Sequence, residues 1–315
     1  MPDSEAITVG SSENYWIWTT NGVWDLTRST NTHLAGEIVT QMHRPLLLEC
    51  EISNILIDPV KTALLIIDMQ NYSMAKELQS NIAVPEMFEA ENSILKHAIP
   101  AARKAGMQII WLQWGLTEED LTSMPPSALR VFDWKANSAM ADYGLSTRSD
   151  STGFTQCRES RRVTRVGQDL GEIMCDDGTR IAAGRALMRD TWNTAPHGPL
   201  LTAFHDGQSA PRRDILVYKN RNSGLYDPNS PCHQALTEEK IQTLLFTGMN
   251  TDQCVMGTLQ DAHAAGYDTV LLRDGCATDS PRYSQLSAEY NCCRNWGFVS
   301  TCEALANAVA SDSEQ

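Results

Sequence analysis

The chain has 315 residues with 42% hydrophobic and 20% charged side chains, enough apolar material for a large buried core and long for one ordinary domain. Twenty-five Lys and Arg against 39 Asp and Glu give a net charge of −14, which disfavours nucleic acid and anionic membrane as partners. Nine cysteines in no paired CxxC spacing, no charged-then-apolar leader and no 18-residue apolar stretch read as a reduced, cytoplasmic protein.

Residues 1–13 are polar and read as a frayed terminus. Tyr15–Trp18 and Gly22–Leu26 flank a Thr-Thr-Asn-Gly turn, the signal of an aromatic hairpin that docks on the main domain or a neighbouring subunit rather than acting as a substrate lid. Residues 36–60 read as further extended segments, so residues 1–60 form an N-terminal extension and 61–310 the main domain, with an insertion over about 117–212.

Thr62-Ala-Leu-Leu-Ile-Ile-Asp68 is a continuous apolar run, as in a strand buried on both faces, and it ends in an acid. Gln70 and Tyr72 follow that acid and are candidates for substrate contact. Pro85–Ala105 carries a helical apolar stripe that Pro100 is expected to break or kink, and Gly106 ends it. A second buried strand, Gln108–Leu116, brings Gln113 and Trp114 to its carboxyl end; Trp111 reads as core, while Trp114 reads equally as core or as a pocket floor.

The segment from Thr117 to Arg213 is rich in Ser, Asp, Gly and Arg, and an insertion of that length builds walls and specificity loops. Arg158, Arg161, Arg162 and Arg165 recur there, residues 167–184 with Asp176-Asp177-Gly178 read as turns and not as a calcium loop, and Trp192, His197 and His205 read as structural or solvated. The strand Asp214–Lys219 ends in a lysine, followed by a polar cluster of Arg221, Asn222, Ser223 and Tyr226. Pro231 precedes a helix over Gln234–Lys240.

Leu244–Thr247 then runs through Gly248-Met249-Asn250-Thr251-Asp252-Gln253 into Cys254, with Thr251 or Asp252 as the expected cap of a helix ending at Gly266. Cys254 falls in the first turn of that helix, where free N–H groups and the positive dipole end lower a thiol pKa and can hold an oxyanion. On this segment alone, Cys254 reads equally as a reactive thiol or as one buried apolar cysteine among nine. His263 lies half a turn out of phase with it and cannot be its partner on that helix. Thr269–Asp274 forms the next strand, Cys276 reads as structural, and Pro281–Ala310 supplies a closing helix and strand.

Asp68, Lys219 and Cys254 stand at three separate strand ends, and in a parallel α/β sheet the ligand crevice lies outside the carboxyl ends of the strands. Leu-Leu-Ile-Ile-Asp-Met-Gln-Asn around Asp68, Val-Tyr-Lys-Asn-Arg-Asn-Ser-Gly around Lys219, and Gly-Met-Asn-Thr-Asp-Gln-Cys-Val with Asp274-Gly-Cys-Ala-Thr278 together resemble the isochorismatase-like cysteine hydrolases, over about residues 60 to 300. The resemblance implies a three-layer Rossmann-like α/β fold with a mainly parallel sheet, and an Asp/Lys/Cys triad that falls on Asp68, Lys219 and Cys254. It also implies a non-proline cis peptide at Met249-Asn250, with an oxyanion hole of N–H groups near Asn250 and Cys254, and a homo-oligomer, dimer or tetramer.

No cofactor is expected. The nicotinamidase branch carries an Asp-x-His…His zinc site where this chain reads Trp114-Gly-Leu-Thr-Glu-Glu-Asp120, which argues against zinc and nicotinamide. The vinyl-ether-cleaving branch lacks the cysteine. What remains is hydrolysis of a small amide or an N-carbamoyl or ureido compound, with Gln70, Tyr72, Gln113, Trp114, Arg221, Asn222 and Tyr226 as candidate substrate contacts. A small-ester hydrolase, a non-catalytic scaffold and a redox-sensing thiol protein are the other readings.

Overall fold

The computed structural model describes residues 6–28, 44–78, 84–129, 131–132, 165–175 and 177–312. Among them, six strands form a parallel sheet in the order β10-β7-β6-β11-β12-β13: β6 is Thr62–Ile67, β7 Gln108–Trp114, β10 Ile215–Lys219, β11 Thr243–Met249, β12 Asp268–Ala277 and β13 Phe298–Ser300. The expected parallel α/β architecture is therefore present. Every residue of β6, β7 and β11 is buried, because helices cover both faces and alternating side chains feed two apolar clusters. The chain builds outward from β6 on one side through β7 and β10 and on the other through β11 to β13, so the direction of winding reverses between β6 and β11. A crevice opens at such a reversal.

Two local features differ from the sequence reading. Residues 85–104 form one continuous helical rod, in which α1 (Pro85–Ser93) passes through a wide turn at Ile94–Ala98 into α2 (Ile99–Lys104). The Ile99 N–H reaches back to Ile94 O, and this widening just before Pro100 absorbs a ring that a regular turn would reject. Residues 172–174 and 180–182, expected as turns, pair instead as antiparallel strands β8 and β9 around Gly178, whose φ is +82°.

The N-terminal extension makes a second sheet of five strands, in the order β1-β2-β3-β5-β4. These are β1 Ile7–Gly10, β2 Tyr15–Trp18, β3 Trp24–Asp25, β4 Leu46–Leu48 and β5 Ile55–Ile57. The expected hairpin is β2–β3, but residues 7–10 pair with β2 as a further strand, where a frayed end was expected. Periodicity over four residues is too short to separate a strand from a tail without its partner in view.

The hairpin docks on the main domain, at the end of the sheet opposite the crevice. Trp16 packs against Phe298, and its indole N–H donates to Asp268 at the first residue of β12. The Arg28 guanidinium grips the same carboxylate from two nitrogens at 2.6 Å, and the Thr243 hydroxyl donates to it at 2.9 Å. Asp268 is only 1% exposed, so four donors hold a charge that water cannot reach. Removing one partner of such a pair costs about 3–5 kcal/mol, because it leaves a buried charge uncompensated. Arg28→Ala is therefore expected to lower the unfolding free energy by that amount in urea titration, with a much smaller loss in the double variant Arg28→Met, Asp268→Leu.

Candidate active site

The three strand ends converge. Asp68 follows the last residue of β6 in the left-handed region, at φ +55°, a conformation aspartate tolerates better than most residues, and this turns its carboxylate across the sheet top. Its Oδ1 accepts the Trp114 N–H at 3.0 Å, and its own N–H donates to Leu112 O, so the end of β7 fixes it on both sides.

Lys219 ends β10, two strand spacings or about 10 Å from β6. Its side chain reaches over β7: Nζ lies 4.1 Å from the centre of the Trp114 ring, donates to Arg221 O at 3.2 Å and stands 2.8 Å from Asp68 Oδ2. Lysine and aspartate are 4% and 3% exposed. The Trp114 indole therefore serves as the ledge across which the cation meets the acid, a contact worth about 0.5–2 kcal/mol.

Cys254 comes from the neighbouring β11. Gly248, at φ +113°, lies so close to β6 that a Cβ would stand 2.1 Å from Ile67 O; only glycine lets the two strands touch here. The Met249–Asn250 peptide that follows is cis. The chain then enters a wide helical turn, Thr251–Val255, continuous with α7 (Met256–Ala264), where α3 to α6 are the intervening helices Glu118–Ser123, Pro126–Leu129, Gly198–Gly207 and Pro231–Glu238, and the one-turn segment Asn71–Met74 is left unnumbered. Cys254 thus sits in the first turn, as the sequence suggests, although the residue at the cap is Asn250 and neither Thr251 nor Asp252.

Three side-chain bonds tie this turn to the segment after β12: Asn250 Nδ2 to Asp279 at 3.0 Å, Thr278 Oγ1 to Asp252 at 2.6 Å, and Gln253 Nε2 to Ser280 at 3.1 Å. The Cys254 Sγ is 3.6 Å from Asn222 Oδ1.

Electrostatics correct one expectation. The helix start was expected to lower the thiol pKa, but burial pushes Cys254 up to about 12; the Lys219 ammonium pulls it down and the Asp68 carboxylate pushes it up. Burial also raises Asp68 above the ordinary carboxylate range, against the pull of Lys219. The resting thiol is protonated, beside a carboxylate made more basic by its surroundings.

A cavity of about 100 Å³ opens at these groups. Of the residues singled out in the sequence, Asp68, Tyr72, Trp114, Asn222, Met249, Asn250 and Cys254 line it. The others do not. Gln70 turns its Oε1 to the Trp114 N–H; Gln113 is fully buried in the sheet; Arg221 lies 5.5 Å from the centre of the Tyr226 ring and donates to Asn220 O; and Tyr226 is exposed. Arg165 lies outside this lining, and Arg158, Arg161, Arg162 and Asp176 fall outside the described residues.

The insertion supplies what sequence reasoning missed. Phe132 meets the Trp114 ring edge-on at 5.0 Å, and Leu187 closes another side. Asn193, fully buried, holds the Leu187 loop through bonds to Leu187 N, Ala183 O and Arg185 O. Neither Phe132 nor Leu187 has a periodic neighbourhood that could have flagged it, whereas Asp279, also in the lining, lies just beyond a carboxyl strand end and was findable on that ground. His197 is structural, with Nδ1 2.8 Å from Glu91. Among the described residues no group of three or more His, Cys, Asp or Glu side chains could hold a metal ion, and no helix is long and apolar enough to cross a membrane.

Comparisons with known proteins agree with this geometry. A family model described as the Isochorismatase domain matches residues 173–291. Ureidoacrylate amidohydrolase RutB of Stutzerimonas stutzeri is 27% identical over 256 residues, covering 81% of this chain and 85% of the relative. Among solved structures, a cysteine hydrolase from Pseudomonas syringae pv. phaseolicola has a TM-score of 0.51 at 17% identity, covering 86% of this chain and 99% of that one. An isochorismatase family protein from Desulfovibrio vulgaris has 0.52 at 18%, with 79% and 98% covered. The chain thus carries a match to the Isochorismatase domain over residues 173–291, is similar in sequence to a ureidoacrylate amidohydrolase, and shares its fold with the two solved neighbours.

Proposed function

We propose that the protein hydrolyses the C–N bond of a small amide or an N-carbamoyl or ureido compound through a thioester on Cys254. The observation that carries this reading is the buried Asp68–Lys219 pair at 2.8 Å beside the Cys254 thiol, at the floor of a cavity. The likeness to a ureidoacrylate amidohydrolase supports the amide or ureido class. The reading includes a homo-oligomer, as the resemblance implies, and a cytoplasmic location, from the unpaired pattern of the cysteines.

In the mechanism, Asp68 accepts the Sγ proton as the sulfur bonds to the carbonyl carbon, and the carbonyl oxygen takes up negative charge near the N–H groups of Asn250 and Cys254. Asp68 then returns the proton to the leaving nitrogen, the C–N bond breaks, and ammonia or an amine departs. Water attacks the thioester while Asp68 takes its proton; the C–S bond breaks and the thiol is restored. Lys219 keeps the carboxylate ionised in a place where burial favours its neutral form, which leaves it basic enough to take a thiol proton and anionic enough to do so near neutral pH.

Ammonia release from a panel of primary amides and N-carbamoyl compounds tests the proposal. Cys254→Ala is expected to lower kcat by about 10⁴-fold or more; equal release by the variant overturns the reading. The acid limb of the pH–rate profile should lie above the ordinary carboxylate range, because burial lifts Asp68, and Lys219→Met should move that limb to higher pH. Alkylation of Cys254 with iodoacetamide at pH 7 reports on both partners. Asp68→Asn removes the base that takes the Sγ proton and should slow alkylation while abolishing hydrolysis, and Lys219→Met removes the cation that favours the thiolate and should slow both. Alkylation at the wild-type rate in Asp68→Asn contradicts the arrangement.

A further inference from the structure

The parallel ladder between β6 and β7 stops one bond early. The Asp68 N–H donates to Leu112 O, and the next bond of a parallel pattern would run from the Trp114 N–H to Asp68 O. That carbonyl is taken instead by the Gln70 N–H at 2.9 Å, because the chain turns at Asp68 with φ +55°. The Trp114 N–H is left to two side chains: Asp68 Oδ1 accepts it at 3.0 Å and Gln70 Oε1 at 2.9 Å. The Gln70 Nε2 donates to Trp114 O at 3.5 Å, so its amide stands in for the next peptide of β6. Gln70 is buried and outside the cavity lining, so this amide serves the backbone of β7 and not a bound substrate.

One N–H between two acceptors gives each a partial bond. A whole backbone N–H on a carboxylate favours the ionised form and weakens it as a base. By drawing off part of that donor, Gln70 leaves Asp68 readier to take the thiol proton. The same amide pins the residue whose ring the Lys219 Nζ crosses at 4.1 Å. Among the described residues, the titratable groups facing Asp68 are Lys219 from β10 and Cys254 from the turn after β11, with Asp279 also in the cavity lining. An apolar side chain at position 70 leaves all three in place and removes one of two acceptors from the Trp114 N–H.

We propose that Gln70 is a positioning residue, which divides the Trp114 N–H with Asp68 so that the carboxylate keeps its affinity for the Sγ proton, and which holds Trp114 in register as the ledge for Lys219. The proposal rests on the amidohydrolase reading given above, in which Asp68 is the base, and deepens it. No step beyond that mechanism is needed, since Gln70 acts through Asp68 and Trp114 and touches no reacting atom.

Gln113-Trp114 is the one Gln-Trp pair in the chain, so carbonyl-labelled glutamine together with nitrogen-labelled tryptophan isolates a single peptide resonance by NMR, the N–H at issue. That resonance follows Asp68 as it ionises, with no turnover involved. In Gln70→Met the inflection should fall by about half a pH unit or more below wild type, since Asp68 then receives the whole donor. Gln70→Leu repeats the removal should the first variant not fold. A side chain that only propped the strand would, when lost, loosen the N–H from Asp68 as well and move the inflection up, or would leave it in place; either result overturns the proposal. On whichever primary amide or N-carbamoyl compound the wild-type protein cleaves, Gln70→Met should lower kcat about tenfold with KM unchanged. A raised KM with kcat and the inflection unchanged makes Gln70 a substrate contact and overturns the proposal too. The expected shift in a protein that cleaves none of these compounds overturns the hydrolase reading and leaves the role of Gln70 standing, whereas amide cleavage with an unmoved inflection does the reverse.

Discussion

A lysine ammonium and an aspartate carboxylate, each almost fully withdrawn from water and 2.8 Å apart, set the terms for everything at the top of this sheet. Neither charge is tolerable there alone, since desolvation of one buried ion costs several kcal/mol. The pair exists because β7 stands between the two strands that bring it and offers the face of Trp114 for the lysine to cross. The tryptophan also donates its backbone N–H to the aspartate, so one residue serves both charges. Cys254 then inherits a neighbourhood in which the two partners act on its proton in opposite directions, and burial keeps that proton on sulfur.

What could be read in the chain were features with short-range physical causes. Continuous apolar runs ending in Asp68 and Lys219 mean strands buried on both faces, and a chemistry-bearing residue at the end of each means a shared crevice. Gly248 before Met249-Asn250 signals backbone angles that other residues avoid, and its φ of +113° agrees; the close approach to Ile67 O, 2.1 Å from where a Cβ would stand, is seen only in the structure. What could not be read were directions and distant meetings. Arg221 and Asn222 are neighbours in sequence with equal polarity, yet one faces the thiol and the other stacks outward on Tyr226, a choice made by packing rather than by composition. Phe132 and Leu187 come from an insertion without period; Phe132 meets Trp114 edge-on, and Leu187 is placed at the cavity by the loop that Asn193 holds. The thiol pKa was misjudged for a related reason: a helix start is legible in sequence, whereas the depth at which it is buried is not.

The second sheet makes a different contribution. Its hydrogen bonds and rings meet the main domain at Asp268 and Phe298, the far end from the cavity, so its aromatic content serves attachment. The Asp268 carboxylate belongs at once to Trp16, Arg28 and Thr243, and through Thr243 the first residue of the cysteine-bearing strand is fastened to the extension. Docking and nucleophile placement are thus linked along β11, at its two ends.

Among the described residues the main sheet finishes on β13, whose outer edge pairs with no further strand of that sheet. The extension runs alongside it: the Glu51 N–H donates to Val299 O, and the Ser300 hydroxyl donates to Glu49 O. An open edge of a parallel sheet is a template for the wrong partner, and β13 is also the last strand to be synthesised. Its cover lies some 250 residues earlier in the chain, so the covering segment has left the ribosome long before the edge it protects. The edge of the sheet is thus closed by a segment from the other end of the described chain, so that its cover and its last strand must fold together.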